Sequence, residues 1–422
     1  MINKSSVQTV DQSNLNKVFK KPLYNSYSFN NITGSILKIF GKAEETGLPS
    51  DVFEGFDKKY KKVVFILIDA FGWNMFERNF ERIKSLKNIA VISRISKLTS
   101  QFPSTTSAQI TTLNTGLSVG ESGIYEWRQY SPKLDRIILP LKYCYLGDKE
   151  KYTILEDGID PEDIFPRSNF YKKLKDSGVI PFTLNYSGYA DSPFNQVVNK
   201  DTENLRYNTY SEALVKIRDL IKTIKVNSFI YLYLANVDSL VHMYGPDTSY
   251  VDAEIESYFT LLENLLLSKL NNERRETLFI ITSDHGQVAT NPETTIYLNQ
   301  KIPGIEEYIE RNNRGEILIP AGSPRDFFLH IKKSRVEEAV RMLSDELFGK
   351  AEVYKTSELI KKGLFGPVNK EFKNIVGNVV ILPYVGETVW WYEQDKFEVD
   401  KLGGHGGLTK QEMEIPFILF EL

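Results

Sequence analysis

The sequence predicts an α/β protein with a buried, mostly parallel or mixed central sheet and a small inserted α+β unit. Short, continuous apolar runs recur along the chain and alternate with segments of helical periodicity. This pattern is typical of strands that are buried on both faces and joined by crossover helices. Between residues 301 and 377 the alternation gives way to a short series of strands and helices flanked by glycine and proline. We therefore predict a main domain that is interrupted once.

The strands of the main sheet are predicted from six apolar runs. These runs are Val63–Ile68, Ala90–Ile95, Ile180–Leu184, Phe229–Leu234, Thr277–Thr282 and Ile415–Phe420. Apolar residues recur at helical spacing in residues 213–224 and 255–266, which predicts crossover helices with right-handed connections.

The inserted unit is predicted to be a small α+β lid over the edge of the sheet. Asp326–Ile331 and Ala351–Tyr354 have strand character, whereas residues 336–347 form an amphipathic helical pattern. The predicted organisation is a main catalytic domain over residues 1–300, a lid over residues 301–377, and a return to the main domain over residues 378–422.

The composition excludes several classes of protein. Of 422 residues, 41% are hydrophobic and 25% are charged, which is typical of a globular chain and excludes disordered and collagen-like ones. The net charge of −3 indicates no nucleic-acid-binding surface and no attraction to an anionic membrane. The single cysteine, Cys144, excludes an internal disulfide and a cysteine-rich metal site.

The location in the cell is predicted to be cytoplasmic. The first residues lack the apolar stretch of a signal peptide, and the apolar runs are far shorter than the roughly 20 residues of a membrane span. A single free cysteine agrees with a reducing compartment. The sequence leaves the oligomeric state open.

Acidic residues follow three of the predicted strands near the point where each strand ends. Asp69, Asp238 and Asp284 each come directly or shortly after an apolar run. Open α/β sheets bind their ligands at the carboxyl edge, so we expect these three carboxylates to meet there. Taken alone, Asp69 is more often explained as a helix cap or a loop residue.

Three of the four histidines accompany these acids or lie in a glycine-built loop. His242 follows the second acid by four residues, which on a helix places both on one face. His285 is adjacent to the third acid, and His405 lies between two pairs of glycines that leave its imidazole uncrowded. The fourth, His330, lies in a predicted strand and is expected to be structural or to face the lid.

These side chains form a mixed set of oxygen and nitrogen ligands. The six members are Asp69, Asp238, His242, Asp284, His285 and His405. Six ligands suit two adjacent divalent ions and exceed what one zinc ion uses. Because the set contains no thiolate, zinc fits it best, manganese is the alternative, and magnesium is the poorest fit.

A nucleophile for such a site is predicted at Thr106. It precedes a predicted helix, whose first N–H groups and positive dipole end would face the same anion. A threonine hydroxyl needs activation, here by a metal, to act as a nucleophile. Thr105 is the rival for this role, and either residue is also explained as an ordinary helix cap.

Taken in order, these motifs resemble the type I phosphodiesterase/nucleotide pyrophosphatase family of the alkaline phosphatase superfamily. The motifs are Asp69 after its strand, Phe102-Pro103-Ser104-Thr105-Thr106, Thr115-Gly116-Leu117, Gly123-Ile124, Asp238 with His242 and Gly245-Pro246, Asp284-His285-Gly286, and the glycines around His405. The resemblance covers about residues 60–300 and 400–422. It implies an alkaline-phosphatase-like three-layer sandwich with a mostly parallel central sheet.

The resemblance also implies a role for each site residue. One zinc ion would be held by Asp238, His242 and His405. The other would be held by Asp69, Asp284, His285 and the Thr106 oxygen. Thr106 rather than Thr105 would be the nucleophile, because Thr106 lies nine residues before Thr115. The implied reaction is hydrolysis of a phosphodiester or nucleotide pyrophosphate bond in a small phosphoester, through a covalent phosphothreonine.

The sequence departs from the family pattern at three places. Ser107-Ala108 replace the proline that commonly follows the nucleophile, and Ser122 replaces a histidine before Gly-Ile. Glu126 and Trp127 occupy the stretch where nucleotide-cleaving members have an asparagine that contacts phosphate. Trp127 is therefore the candidate substrate contact, and the metal chemistry is better defined than the substrate.

Three alternatives remain for the function. They are a phosphomonoesterase, a metal-dependent phosphomutase, and a non-catalytic scaffold that keeps the fold. Mutases of this superfamily usually use serine as nucleophile, and a scaffold is disfavoured because every expected ligand is present. A sulfatase is disfavoured because no cysteine or serine has the required Cys/Ser-x-Pro-x-Arg context.

Overall fold

The helices and strands are those of a computed structural model that describes residues 1–56, 58–167, 169–270 and 276–422. The α-helices are α1 (Lys4–Gln12), α2 (Ile32–Ile39), α3 (Trp73–Phe80), α4 (Lys84–Ile92), α5 (Thr106–Thr115), α6 (Val119–Ser122), α7 (Phe170–Asp176), α8 (Pro193–Val198), α9 (Tyr210–Thr223), α10 (Asn236–Tyr244), α11 (Ser249–Leu261), α12 (Leu298–Lys301), α13 (Val336–Glu346), α14 (Thr356–Lys361), α15 (Phe372–Ile375) and α16 (Lys410–Met413). The strands are β1 (Lys62–Ile68), β2 (Arg94–Thr99), β3 (Gln129–Ser131), β4 (Arg136–Leu139), β5 (Cys144–Tyr145), β6 (Ile180–Tyr186), β7 (Glu203–Tyr207), β8 (Ser228–Leu234), β9 (Thr277–Thr282), β10 (Val288–Ala289), β11 (Ile296–Tyr297), β12 (Ala321–Ser323), β13 (Asp326–Leu329), β14 (Ala351–Lys355), β15 (Val379–Pro383), β16 (Val389–Trp390), β17 (Gly403–Gly404) and β18 (Glu414–Phe420).

The central sheet has seven strands in the order β2-β18-β9-β1-β8-β6-β7. From β9 to β7 all neighbours pair in parallel, whereas β18 pairs antiparallel with both β9 and β2. One strand therefore runs against the other six. The prediction of an α/β fold with a mostly parallel central sheet is confirmed.

Helices cover both faces of this sheet. Along β1, Val64 and Ile66 pack into a core with α3, α4, α9, α10 and α11. The alternate residues Val63 and Phe65 pack into a second core with α2, α5 and α7. A strand whose two faces are both covered must be apolar at every position, which explains why β1 is a continuous apolar run.

One predicted strand of the main sheet is wrong. Ala90–Ile95 was expected to be extended, but α4 continues to Ile92 and β2 starts only at Arg94. Leu86 and Ile89 are buried one turn apart on α4, whereas Val91 is 79% exposed. The apolar residues near the end of α4 therefore belong to an amphipathic helix. The predicted run was too short to show the helical spacing of its apolar residues.

A second, four-stranded antiparallel sheet, in the order β12-β13-β15-β14, includes the segment predicted as an insertion. Helix α13 packs beside it, as the helical pattern of residues 336–347 indicates. The sheet includes β15, which continues to Pro383. This small sheet therefore extends past residue 377, where the insertion was predicted to end, because its strand β15 begins at Val379.

Smaller elements connect the two sheets. A three-stranded antiparallel sheet is formed by β3, β4 and β5, and short two-stranded ladders pair β10 with β17 and β11 with β16. Within the described ranges no helix is long and apolar enough to cross a membrane.

A buried ion pair joins the insertion to the main domain. Arg325, at the turn before β13, is 1% exposed, and Glu412 on α16 is 0% exposed. Two nitrogens of the guanidinium each lie 3.0 Å from a carboxylate oxygen of Glu412. The same guanidinium donates to the carbonyl oxygens of Tyr384, at 2.7 Å, and of Glu387. Both charges are therefore compensated in a place that water does not reach.

The Arg325→Ala variant is expected to lose about 3–5 kcal/mol of unfolding free energy, because it leaves the Glu412 carboxylate buried and unpaired. Urea denaturation measures the loss. The matched control is Arg335→Ala, which removes an exposed ion pair with Glu338 and should cost less than about 1 kcal/mol. Equal losses in the two variants would show that the buried pair does not join the two parts.

Candidate two-metal site

The three acids that follow strands meet at the carboxyl edge of the central sheet. Strands β9, β1 and β8 are neighbours, so that the residues that follow them lie side by side. Asp69 directly follows β1, Asp284 lies two residues beyond β9, and Asp238 occupies the first turn of α10 after β8. The parallel order thus brings together residues that are far apart in the sequence.

Asp238, His242 and His405 form the first group of possible metal ligands. One ligand atom of each lies within 4.8 Å of the other two. The Nε2 atoms of His242 and His405 are 3.5 and 3.6 Å from Asp238 Oδ1. His242 and Asp238 face the same side of α10, as their four-residue spacing predicts.

Asp69, Asp284 and His285 form the second group. The Nε2 atom of His285 is 3.4 Å from Asp69 Oδ1 and 3.4 Å from Asp284 Oδ2. Asp238 also contributes an atom within 4.8 Å of ligand atoms of Asp69 and His285. The two groups are therefore adjacent, and the rings of His285 and His405 stack with centroids 3.9 Å apart.

Thr106 lies beside the second group. It is the first residue of α5, so backbone N–H groups that lack helical partners surround it. Its Oγ1 atom is 3.1 Å from His285 Nε2 and 3.4 Å from Asp69 Oδ2. Thr105, the rival, is the extended N-cap residue of the same helix, and its side chain makes a hydrogen bond to Glu126.

Each site histidine is oriented by a backbone carbonyl oxygen. The Nδ1 atoms of His242, His285 and His405 lie 2.8, 3.1 and 3.0 Å from the carbonyl oxygens of residues 403, 286 and 104. A carbonyl oxygen only accepts, so each Nδ1 carries a proton and each ring presents its Nε2 atom to the site. This is the arrangement of neutral imidazoles that bind metals through Nε2.

Two buried carboxylate oxygens indicate that a cation belongs in the second group. Asp69 Oδ1 and Asp284 Oδ2 are buried and have no hydrogen-bond partner among the described residues. Burial, reinforced by the neighbouring carboxylates of Asp284 and Asp238, raises the pKa of Asp69 well above its usual value. Unpaired buried carboxylates are costly, and a divalent cation would compensate them. The donor set therefore fits two divalent ions.

Two further residues support the ligands, and the sequence did not single them out. The Tyr233 hydroxyl on β8 donates to Asp69 Oδ2, and Gln287 Nε2 donates to Asp238 Oδ1 at 2.6 Å. Tyr233 fixes Asp69 Oδ2 and leaves Oδ1, the atom near His285, for a metal. Gln287 orients the Asp238 carboxylate through Oδ1, the oxygen that lies near His242 and His405. The available signals were the position of Tyr233 near the end of β8 and that of Gln287 two residues after His285.

The glycines around His405 are required by close packing. A Cβ atom at Gly406, where φ is +121°, would lie 2.5 Å from Asp326 Oδ1. A Cβ atom at Gly403 would lie 2.5 Å from the carbonyl oxygen of Val241. The loop therefore passes between the insertion and α10 only because it lacks side chains there.

Glu126 is a buried acid that the sequence did not assign to the site. Its Oε2 atom accepts the backbone N–H of Trp127, and burial raises the pKa of its carboxyl group to about 7. Burial and the nearby Glu126 carboxylate also raise the pKa of Asp326, on the insertion, well above its usual value. The Glu126 carboxylate thus fixes the backbone that presents Trp127 to the site.

His330 lies outside the ligand groups, as predicted. It follows β13, is 8% exposed, and its ring meets that of Tyr130 edge to face with centroids 5.2 Å apart. Burial lowers the pKa of His330 to about 4, so that the imidazole is neutral near pH 7. Its role is packing between the insertion and the sheet of β3–β5.

Two cavities meet at the site. A cavity of about 360 Å³ is bordered by the insertion and contains Arg128, Trp390 and Phe397 in its wall. A second cavity of about 270 Å³ lies on the side of β6 and β8. Their walls share only Thr106, Trp127 and Asp238 among the described residues. Trp127, the predicted substrate contact, therefore lies where the two cavities join.

An aspartate and histidine cluster at the carboxyl edge of a mostly parallel sheet is suited to a metal-dependent hydrolase. The model of the type I phosphodiesterase/nucleotide pyrophosphatase family matches residues 63–408, and the chain belongs to this family. No curated protein matches the sequence significantly.

Solved structures of the same fold include two kinds of enzyme. Murine ectonucleotide pyrophosphatase/phosphodiesterase 5, as an inactive threonine-to-alanine variant with AMP, is 18% identical with a TM-score of 0.62, covering 85% of this chain and 87% of that one. Phosphonoacetate hydrolase from Sinorhizobium meliloti 1021, with phosphonoacetate, is 14% identical with a TM-score of 0.61, covering 84% of this chain and 89% of that one. Family and fold together identify the chain as a phosphoric ester hydrolase of a class that uses divalent metals.

The His405→Ala variant is expected to lower the metal content from about two divalent ions per chain to about one, because it removes one of three ligands in the first group. Inductively coupled plasma mass spectrometry of the purified protein measures the ratio. The control is His330→Ala, which removes the histidine outside the ligand groups and should retain about two ions. An unchanged ratio in His405→Ala would contradict the assignment of His405 as a ligand.

Proposed function

We propose that the protein hydrolyses phosphodiester or pyrophosphate bonds of small phosphoesters through a covalent phosphothreonine on Thr106 at a two-zinc site. The observation that carries this proposal is the position of the Thr106 hydroxyl. It lies within 3.4 Å of both Asp69 and His285, at the start of α5 and at the junction of two cavities. Manganese is the alternative to zinc.

The ligands of the two ions would be divided as the two groups of side chains are. Asp238, His242 and His405 would hold one ion. Asp69, Asp284, His285 and the Thr106 oxygen would hold the other. When bound, the ions would supply Lewis-acid stabilisation of the attacking oxygen, the leaving oxygen and the charge on phosphorus.

Thr106 Oγ1 is the attacking atom in the first step. The hydroxyl proton passes to water, the Thr106 oxygen bonds to phosphorus, and the bond from phosphorus to the leaving oxygen breaks on the opposite side, where the leaving oxygen takes up a proton from water. The free N–H groups at the start of α5 face the phosphoryl oxygens and stabilise their charge. Water then hydrolyses the phosphothreonine and restores the hydroxyl group.

The residues around the ligands hold this geometry. Tyr233 and Gln287 each occupy one oxygen of a ligand carboxylate, and the carbonyl oxygens at residues 403, 286 and 104 fix the three imidazole rings. A site fixed in this way does not have to reorganise as charge develops.

The two cavities favour a diester or pyrophosphate over a monoester. A phosphorus atom at Thr106 would carry one substituent toward each cavity, and a monoester would leave one cavity empty. The structural neighbours agree with a phosphorus substrate, since one is in complex with AMP and another with phosphonoacetate. The inactive neighbour carries a threonine-to-alanine change, which agrees with a threonine nucleophile.

The Thr106→Ala variant is expected to reduce kcat by at least about 10³-fold, because the attacking oxygen is lost. Hydrolysis of bis(p-nitrophenyl) phosphate measures the effect, with circular dichroism and metal analysis to confirm that the variant is folded and loaded. Thr105→Ala, one residue away, is the matched control and should lose far less activity. Comparable losses in the two variants, or retained activity in Thr106→Ala, would refute the assignment of the nucleophile.

The preference for diesters is tested with one leaving group. The kcat/KM for bis(p-nitrophenyl) phosphate is expected to exceed that for p-nitrophenyl phosphate by at least about tenfold, because the second aryl group fills the other cavity. Both reactions release p-nitrophenol, so the comparison isolates the second substituent. Faster hydrolysis of the monoester would instead support the phosphomonoesterase.

A further inference from the structure

The loop that carries His405 has almost no side chains with which to hold itself in place. Residues 403, 404, 406 and 407, on either side of His405, are all glycines. Glycine has the largest conformational freedom in the unfolded chain, so a fixed position for this loop has to come from neighbouring segments. Two segments form hydrogen bonds with it, namely the residues that precede α5 and the turn between β12 and β13 of the insertion.

The segment before α5 holds the loop on the side of the proposed nucleophile. The Ser104 N–H donates to the carbonyl oxygen of Gly406 at 3.2 Å, and Ser104 Oγ donates to that of Gly407 at 2.7 Å. The carbonyl oxygen of Ser104 accepts from His405 Nδ1 at 3.0 Å. None of these three bonds involves the carbonyl oxygen of His405.

The turn of the insertion supplies the partner for that carbonyl oxygen. Ser323 is the last residue of β12, and it pairs with Asp326, the first residue of β13, across a two-residue turn. Ser323 Oγ lies 3.0 Å from the carbonyl oxygen of His405 and donates to it. A side chain of the insertion is therefore bonded directly to a residue of the first ligand group.

The hydrogen-bond partners of Ser323 direct its hydroxyl proton to His405. Its Oγ atom lies 2.5 Å from Asp326 Oδ1 and accepts the N–H of Arg325 at 3.1 Å. Burial, reinforced by the nearby Glu126 carboxylate, raises the pKa of Asp326 well above its usual value. An Asp326 carboxyl group that keeps its proton donates it to Ser323 Oγ, so the single proton of the serine hydroxyl is available for the carbonyl oxygen.

The same turn also holds the glycines that follow His405. Arg325 binds Glu412, whose Oε1 atom accepts the N–H of Gly407 at 3.1 Å. A Cβ atom at Gly406 would lie 2.7 Å from Ser323 Oγ, so the turn and the loop are in close contact there as well. The turn therefore meets three successive residues of the loop, either directly or through Glu412.

We propose that Ser323 of the insertion is a positioning residue for His405 and that it raises the affinity of the first ligand group for its metal ion. The insertion is then a part of the first metal site and not only a lid over the edge of the sheet. This inference rests on the proposed function, since it assumes that Asp238, His242 and His405 hold one ion.

The Ser323→Ala variant is expected to bind one zinc ion about tenfold or more weakly and the other with unchanged affinity. Loss of a residue that orients a metal ligand typically costs about 10–100-fold in metal affinity. Competition of the zinc-loaded protein with a chromophoric chelator measures both dissociation constants. With Co²⁺ in place of zinc, the visible absorption bands of one ion should also change, because they depend on the geometry of its ligands.

The matched control is Ser344→Ala, which removes another serine hydroxyl of the insertion. Ser344 also donates to a backbone carbonyl oxygen, that of Val340 at 2.7 Å, but this bond lies within α13. The control variant should bind both zinc ions, and show the Co²⁺ bands, as the parent protein does. A general loss of folding would weaken the binding of both ions together, and thermal unfolding followed by circular dichroism detects it.

The proposal is overturned if Ser323→Ala binds both zinc ions with the affinities of the parent protein, or if it weakens both equally. His405→Ala, measured in parallel, separates this failure from a failure of the proposed site. Retention of two ions by His405→Ala contradicts the ligand assignment itself. Loss of one ion by His405→Ala, together with unchanged binding by Ser323→Ala, contradicts only the role of Ser323.

Discussion

The carboxylates of Asp69 and Asp284 impose the constraint on which the site depends. Each has a buried oxygen without a hydrogen-bond partner among the described residues, and the Nε2 atom of His285 lies 3.4 Å from that oxygen of each carboxylate. Negative charge concentrated in this way is unfavourable in a protein interior unless a cation balances it. The groups around the two carboxylates agree with a bound cation. The imidazole rings present their Nε2 atoms to the site, the Tyr233 hydroxyl donates to the other oxygen of Asp69, and the Thr106 hydroxyl lies beside Asp69 and His285.

The central sheet accounts for most of what the sequence predicted. Strands buried on both faces are continuous apolar runs, and five of the six predicted runs coincide with strands. The acids that follow these strands meet because neighbouring parallel strands end at the same edge of the sheet. The order of the motifs along the sequence indicates this arrangement. The run Ala90–Ile95 failed because a short apolar segment has the same appearance at the end of an amphipathic helix. The small sheet also includes β15, which begins at Val379, two residues after the boundary predicted at Gly377.

Other parts of the site depend on contacts between distant segments and gave no local signal. Glu126 is buried and lies close enough to Asp326 of the insertion to affect its pKa, and Arg325 of the insertion forms an ion pair with Glu412. Neither contact has a characteristic spacing in the sequence. The same holds for the two cavities, whose walls combine loops from several parts of the chain. The proposed metal ligands could be predicted because most of them lie near the ends of strands of the central sheet, whereas substrate contacts depend on how the insertion and the loops pack.

The most direct measurement is anomalous X-ray diffraction at the zinc absorption edge, from crystals of the protein purified with zinc. Two strong anomalous peaks are predicted for each chain. One would lie among Asp238, His242 and His405, and the other among Asp69, Asp284 and His285, beside the Thr106 hydroxyl. A fully loaded crystal with no peak at either group, or with a single peak in only one of them, would contradict the two-metal site.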